Sequence, residues 1–456
     1  MEQKKQIVII GAGLTGLSLA WYLKKYGHTA LVIEKTHTPG GVMQTVSEGG
    51  FVYETGPNTG VIGTPDLVDL LGGLSGSCTP ERASRRGVKR YIMYKERWHA
   101  LPCGPVSGLF TPLFSMRDKF RILGEPFRKP GTDPYESVAD MTVRRMGRTI
   151  LNYAVNPFIS GIYAGDPAKL TTQYALPKLY ALEQNYGSFI KGAIRKARLP
   201  KTDEEKQVTR EIFSAEGGFG NLTSALVEKT GAENIVCSAQ NVCVEPAGKR
   251  YTVSYTVNGQ KTSVDAHTVV STTGSHEIAG LFPFIPKAEI TPATSVEYAK
   301  LVQVAVGYNK WTGFKLDAFG GLVPAREQRS MLGILFPSAI FKGRAPEGGA
   351  LLSVFMGGVQ KPEVLEYTDN EIEKLVYYEI ESSLYPGQAP DLVRITRHSH
   401  AIPQYGPNTG RRLDAIAIIE QRYPGIYLAG NGRDGIAMAD RVKQARTLAG
   451  KINSDI

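Results

Sequence analysis

An unbroken apolar run, Ile7 to Ile10, stops at Gly11. Such a run before a glycine reads as a strand buried on both faces of a parallel sheet. From Leu14 the spacing changes. Leu17, Leu19, Ala20 and Leu23 recur with helical period as far as Tyr26, and Gly27 closes the segment. Residues 30–34 (ALVIE) form a second apolar run, so the chain is expected to open as strand, helix, strand.

Further along, YIMY and RWHA flank Lys95 and Glu96 and predict a hairpin over 91–100. Residues 101–134 are rich in Pro, Gly and Phe, and 135–200 read mainly as helix. The charged stretch 201–211 (KTDEEKQVTRE) has no apolar stripe and is expected to be an exposed loop. GGFGN from 217 opens a helix to Thr230. Short strands follow at 241–245, 250–257 and 264–270, with a turn at Asn258 and Gly259, and are expected to extend the first sheet. The segments LVQVAVGY, SMLGILF and ALLSVFMGG, between 300 and 358, precede a helix from Asp369 to about Ser383. This predicts an antiparallel sheet with a covering helix. Finally, IYLA (426–429) leads through GNGRDG into a helix from Ile436 to Ala449. Both ends of the chain therefore place a glycine-rich turn between a strand and a helix start, an arrangement that turns backbone N–H groups toward an anion.

The 456 residues suffice for two or three packed units, and 42% hydrophobic with 21% charged residues excludes a disordered or fibrous chain. Its 50 glycines exceed the usual ~7% and point to tight turns and close backbone approaches. The net charge of +10 favours anionic partners. Nucleic acid is disfavoured, because the basic residues are scattered and no zinc-finger or helix-turn-helix spacing accompanies them. No run long enough to span a membrane and no secretory signal is read in the sequence, so the protein is expected inside the cell. Cys78, Cys103, Cys237 and Cys243 lack CxxC spacing and read as reduced thiols. His267, His276, His398 and His400 show no ligand spacing, so no metal is expected, and no GxSxG marks a nucleophile.

The sharpest local signal is GAGLTG, comprising Gly11, Ala12, Gly13, Leu14, Thr15 and Gly16. The first glycine permits the turn, the second lets the backbone meet a pyrophosphate, and the third lets helix and strand pack closely. Glu34, at the end of the second strand, is placed to accept from a ribose hydroxyl and argues against a 2′-phosphate. NAD and FAD remain equally open on these residues.

The stretches KTHTPGGVMQT (35–45) and FVYETGPNTG (51–60) resemble the FAD-dependent amine oxidase superfamily. The block at 156–192, with AEGGFGNLTSAL (215–226), AIPQYGPN (401–408) and YPGIYLAGNGRDGIAMA (423–439), is similar to the pattern of protoporphyrinogen and coproporphyrinogen oxidases. The resemblance implies FAD as cofactor. Lys35, Gly40, Gly41 and Val42 would lie along the dinucleotide, with the Gly pair beside the pyrophosphate. Gly56 and Pro57, with Asn58 and Thr59, would approach the isoalloxazine. Val242 would contact the adenine side, and Ala429, Gly430, Gly435, Ile436 and Ala437 would lie against the flavin. Two positions depart from the pattern: Val42 stands where relatives often carry Arg or Trp, and Thr409 where many carry His. No residue is assigned a catalytic acid or base role.

The implied fold is α/β, a Rossmann-type FAD-binding domain (1–85, 211–275 and 391–456) with an antiparallel-sheet substrate domain (276–390) and an inserted helical unit (86–210). The implied reaction is oxidation of protoporphyrinogen IX or coproporphyrinogen III to the porphyrin in heme biosynthesis, with O2 as acceptor and H2O2 as by-product. An amine oxidase, a polyene desaturase and a non-catalytic flavin or tetrapyrrole binder are the competing readings. Among the basic clusters Arg82, Arg85, Arg86, Lys89 and Arg90; Arg144, Arg145 and Arg148; and Arg195, Lys196 and Arg198, most read as solvated faces. One or two Arg are expected to pair with substrate propionates, and others to touch an anionic bilayer. Leu109, Phe110, Leu113 and Phe114 read either as ordinary core or as a membrane-facing or substrate-entry surface. The expected location is the cytoplasm, peripheral on the inner face of the cell membrane, with hand-over of product to a downstream heme-pathway enzyme.

Overall fold

The computed structural model describes residues 6–102 and 104–456; Met1 to Lys5 and Cys103 lie outside the described residues, as do the side chains of Pro105 and Leu109. The first sheet is parallel, with strands in the order Ile235–Val236, Ala30–Ile33, Ile7–Ile10, Thr268–Ser271 and Ile426–Leu428. Ile7, Val8 and Ile9 are fully buried, as a strand covered on both faces requires. On one face the helices Leu14–Lys25 and Met438–Asp455 pack together through Leu17, Leu23, Val442 and Ala449. This contact joins the two ends of the chain.

The other face is covered by a separate antiparallel sheet of Gln240–Ala247, Arg250–Val257 and Gln260–Ala266. Extension of the first sheet was therefore the wrong expectation for these strands, and only Thr268–Ser271 enters it. The physical reason is legible in Arg250–Val257, whose Tyr251, Val253 and Tyr255 are buried while alternate residues are not. A strand with one apolar face fits an antiparallel layer over a core, not the middle of a doubly covered parallel sheet.

The third sheet orders Leu392–Pro403, Tyr298–Tyr308, Ala350–Gly357, Met331–Leu335, Gly320–Leu322, Tyr91–Tyr94 and Arg97–Ala100. The helix Asp369–Leu384 covers it through Ile372, Val376 and Ile380 against Val302, Val304 and Val354. Both edges differ from the sequence grouping. The hairpin 91–100 forms one edge, joined through a parallel pairing of Tyr91 with Gly321, and Leu392–Pro403 forms the other. Local patterning finds such strands but carries no information about distant partners.

Smaller differences concern ends. The last helix starts at Met438 with Ala437 as its cap and runs to Asp455, past both expected bounds. The charged stretch 201–211 holds one exposed helical turn, Asp203–Lys206, capped by Thr202. The helical unit contains Val138–Arg145, Asn156–Tyr163, Pro177–Tyr186 and Phe189–Ala197. Here Arg144 and Arg145 are not a solvated face. Arg145 is fully buried and pairs with Glu125 and Glu183, while Arg144 pairs with Glu136 and Glu183. Leu113 and Phe114 are buried beside Ile92 and Ile150, whereas Phe110 is exposed.

Candidate flavin site

The glycine turn at the start of the chain is built by steric exclusion. Gly11 has φ +106°, and a Cβ there would meet Thr272 Oγ1 at 2.8 Å. A Cβ on Gly16 would overlap the Gly11 carbonyl oxygen, so no other residue lets the helix start this close to the strand. Gly13 differs from both. Its φ of −74° is open to any residue, and nothing lies within 4 Å of the Cβ it lacks. A glycine required neither by conformation nor by packing is explained by a ligand that needs the backbone itself.

Gly13 caps the helix Leu14–Lys25 with no side-chain bond, and the first turn, including Leu14 and Thr15, holds no acidic residue. Its leading N–H groups and the positive end of the helix dipole are therefore left for an anion. Ala12 N donates to Glu34 Oε2 at 2.7 Å, and Thr36 N and Oγ1 donate to Oε1 at 2.9 and 2.7 Å. An ionised carboxylate has about four acceptor sites, so Glu34 fixes the turn and keeps capacity for one ribose hydroxyl.

The second loop docks on the first. Gly40 N donates to Ala12 O at 2.8 Å, and Gly40 and Gly41 have φ of +116° and +58°. A Cβ on Gly41 would stand 3.3 Å from Gly13 Cα, and one on Gly56 would overlap the Val42 carbonyl oxygen. Val42 itself projects outward and is exposed. The segment that follows is held by three adjacent strands of the large sheet. Gln303 Nε2 donates to Glu54 O, His398 Nε2 to Thr55 O and Ser353 Oγ to Asn58 Oδ1, each at 2.8 Å. Asn58 Nδ2 in turn donates to Gly56 O at 3.1 Å, which fixes the turn around Pro57; Thr59 continues it into the strand Gly60–Val61.

The C-terminal turn meets the N-terminal one across a shared segment. A Cβ on Gly430 (φ +101°) would lie 2.8 Å from Thr273 O, just as one on Gly11 meets Thr272. Gly430 N donates to Gln444 Oε1 and Gly435 N to Tyr405 Oη, both at 2.9 Å. The Tyr405 hydroxyl donates to Asn431 O at 2.6 Å, and burial above all pushes its pKa up to about 12, so it stays a neutral phenol. Ala429 is buried with the first helix, Ile436 packs beside Tyr163 and Tyr405, and Ala437 begins the last helix.

Two residues sit further out. Lys35 is turned to Glu277 at 2.6 Å on the surface, and Val242 lies partly buried against the apolar cluster that includes Val8 and Ile10. The residues that sequence reading did not assign to this site are those that brace the turns: Thr272, Thr273, Gln303, Ser353, Gln444 and His398, the last considered only as a metal ligand. Only Tyr405 had a visible signal, within AIPQYGPN. His276 and His400 stack face to face with ring centres 3.9 Å apart.

An uncapped helix start, an open-sided glycine, a strand-end carboxylate and a second glycine turn at one place fit an extended dinucleotide. The chain matches the family described as flavin containing amine oxidoreductase over residues 14–453. It belongs to that family. Its cofactor is accordingly FAD, and the residues above fit it. The mitochondrial protoporphyrinogen oxidase of Nicotiana tabacum is 28% identical, the match covering 95% of this chain and 92% of that one. Coproporphyrinogen III oxidase of Bacillus subtilis (strain 168) is 24% identical over 98% and 97% of the two chains. Among solved structures, a provisionally named protoporphyrinogen oxidase from Exiguobacterium sp. 255-15 has the same fold, with TM-score 0.82, 22% identity and full coverage of both chains.

Proposed function

We propose that the protein oxidises a porphyrinogen, protoporphyrinogen IX or coproporphyrinogen III, to the porphyrin. The observation that carries this reading is an apolar floor beside the flavin turns. Ala299, Leu301, Leu332, Phe355, Ala401 and Ile402 cluster there, on the same sheet whose Gln303, Ser353 and His398 hold the loop 54–58. A flat macrocycle with acidic side arms suits such a floor better than an amine does. The nearby pair Tyr163 and Tyr405 meets edge to face at 75°, with both hydroxyls bonded to main-chain carbonyls, and so forms no cage for a cation. The names of the whole-length relatives from tobacco and Bacillus point the same way.

When bound, FAD supplies the hydride acceptor, with dioxygen as the final oxidant and hydrogen peroxide as by-product. The chain's own contribution is positional. Glu34, Gly13 and the uncapped helix start fix the dinucleotide, the three-strand clamp fixes Gly56 and Pro57, and the apolar floor excludes water from the reacting face. Of the clustered arginines, Arg85, Arg86, Arg90, Arg148, Arg195 and Arg198 form no ion pair among the described residues and remain available to propionates, whereas Arg82, Arg144 and Arg145 are paired.

The test is anaerobic mixing of the yellow protein with each porphyrinogen, followed by admission of oxygen. The flavin is expected to bleach, then recover as porphyrin fluorescence grows. Bleaching by a primary amine or a polyene, with neither porphyrinogen reacting, contradicts the proposal and selects the competing oxidase; no bleaching by any of them selects the non-catalytic binder.

Peripheral contact with an anionic membrane is part of this proposal. Val106, Phe110, Met116, Phe120, Leu123 and Phe127 are exposed in the inserted unit, and the helix Met116–Leu123 buries none of its residues. Arg117, Lys119, Arg128 and Lys129 are interspersed among them. No described helix is long and apolar enough to cross a membrane. Burying one Phe is worth roughly 1.5–3 kcal/mol, so Phe120→Glu with Phe127→Glu is expected to weaken binding to phosphatidylserine-containing vesicles about tenfold or more. Equal co-sedimentation of variant and parent would remove this surface from the account. A membrane-side location would also favour direct hand-over of an insoluble porphyrin to the next enzyme.

A further inference from the structure

Arg441 is a buried cation whose one hydrogen bond leaves most of its donors unanswered and its charge unpaired. It lies one turn into the helix Met438–Asp455 and is 6% exposed. Its Nη1 donates to Gln444 Oε1 at 2.9 Å, while Nε and Nη2 are buried without a hydrogen-bond partner. The two nearest acids are engaged elsewhere. Asp434 Oδ2 accepts from Gln444 Nε2 at 2.6 Å and faces Arg433, and Asp440 Oδ2 accepts from Ala437 N at 3.2 Å. Among the described residues no carboxylate forms an ion pair with Arg441, unlike the equally buried Arg145 and Arg344, which both have one.

A guanidinium stays protonated even when buried. A charge removed from water without a counter-charge is strongly disfavoured. This one is held against the C-terminal cofactor turn, because the Gln444 side chain that accepts from it also bonds Gly430 N and O. It adds a full positive charge to the partial charge at the start of the same helix.

We propose that Arg441 sets the reduction potential of the flavin, its buried positive charge favouring the reduced, more negative cofactor over the oxidised one. The neighbouring Tyr405 and Gln444 contribute no charge, and Asp434 and Asp440, which act on Arg441 from a distance, are held by Gln444 Nε2 and Ala437 N, so they offset its field only in part. The residue acts through space as a positioning charge and takes no part in the chemistry. The proposal rests on the presence of the flavin and not on the identity of the substrate.

The test is the midpoint potential of the holoprotein, measured by dye equilibration without substrate, for the parent, R441M, R441Q and R441K. R441M and R441Q are each expected to fall by about 30 mV or more, a tenfold change for a two-electron couple. Their affinity for sulfite, which forms an anionic flavin adduct, is expected to weaken in parallel, while R441K keeps both parental values. Parental potentials in R441M and R441Q overturn the proposal, including the case in which they only bind FAD more weakly, which would make Arg441 a counter-charge to the pyrophosphate instead. A failure to oxidise porphyrinogens leaves this result untouched.

Discussion

Gly13→Leu is expected to give a folded protein that no longer holds FAD. The backbone at Gly13 has φ −74° and ψ −178°, a conformation any residue adopts, and its missing Cβ points where no atom of the chain lies within 4 Å. The substitution therefore leaves the fold intact while placing a side chain against the uncapped start of the helix Leu14–Lys25. FAD affinity should fall by two orders of magnitude or more, about 3 kcal/mol, with an unchanged unfolding midpoint for the apoprotein. Gly16→Leu provides the contrast. Its Cβ overlaps the Gly11 carbonyl, so it is expected to destabilise the apoprotein as well. Equal loss of stability in both variants would mean that Gly13 serves packing and not a ligand.

The second large effect is expected far from the flavin. Arg145 is fully buried, pairs with Glu125 and Glu183, and donates to Arg128 O, Lys129 O and Gly187 O. Glu125 also accepts from Ser188 Oγ, Phe189 N and Ile190 N, which ties the start of the helix Phe189–Ala197 to the same point. Removing one member of a buried pair costs about 3–5 kcal/mol, because the other is left as an isolated charge. Arg145→Met should lose roughly that amount, read as protection lost in hydrogen exchange across 125–197, while the parallel sheet keeps its protection. Burial by itself raises the Glu125 pKa, but the hydrogen bonds from Ser188, Arg145 and the two backbone amides outweigh it and hold the carboxyl below its usual range. A group depressed on folding contributes fully above its unfolded value of about 4.3, and that contribution is lost as the pH falls through the folded value. The inserted unit is thus expected to lose stability as the pH falls below the unfolded value and through the folded one, and Glu125→Gln should flatten that acid limb.

The contrast between these two predictions shows what could be read from the residues alone. The flavin turns are local in sequence. Gly11, Gly13, Gly16 and Glu34 fall within one strand–helix–strand unit, so their spacing carries their role. The C-terminal turn shares the logic, and its junction with the first turn, through Thr272 and Thr273, required the fold. Arg145 looked like one of three neighbouring basic residues on a solvated face, because its partners Glu125 and Glu183 are 20 and 38 positions away and are brought in by helix packing. The clamp of Gln303, Ser353 and His398 was hidden for the same reason. The three lie on three different strands, far apart in sequence, and their convergence on residues 54–58 depends on sheet order. The strands at 241–266 were found, but their sheet was not, because period-two burial tells which face is covered and not which strand is next.

The central claim is that the two ends of the chain grip a single flavin nucleotide, and calorimetric titration of the deflavinated protein with FAD tests it most directly. One tight event saturating at one FAD per chain, abolished by Gly13→Leu, is the expected result. No binding, or two independent events of which Gly13→Leu removes only one, would contradict it.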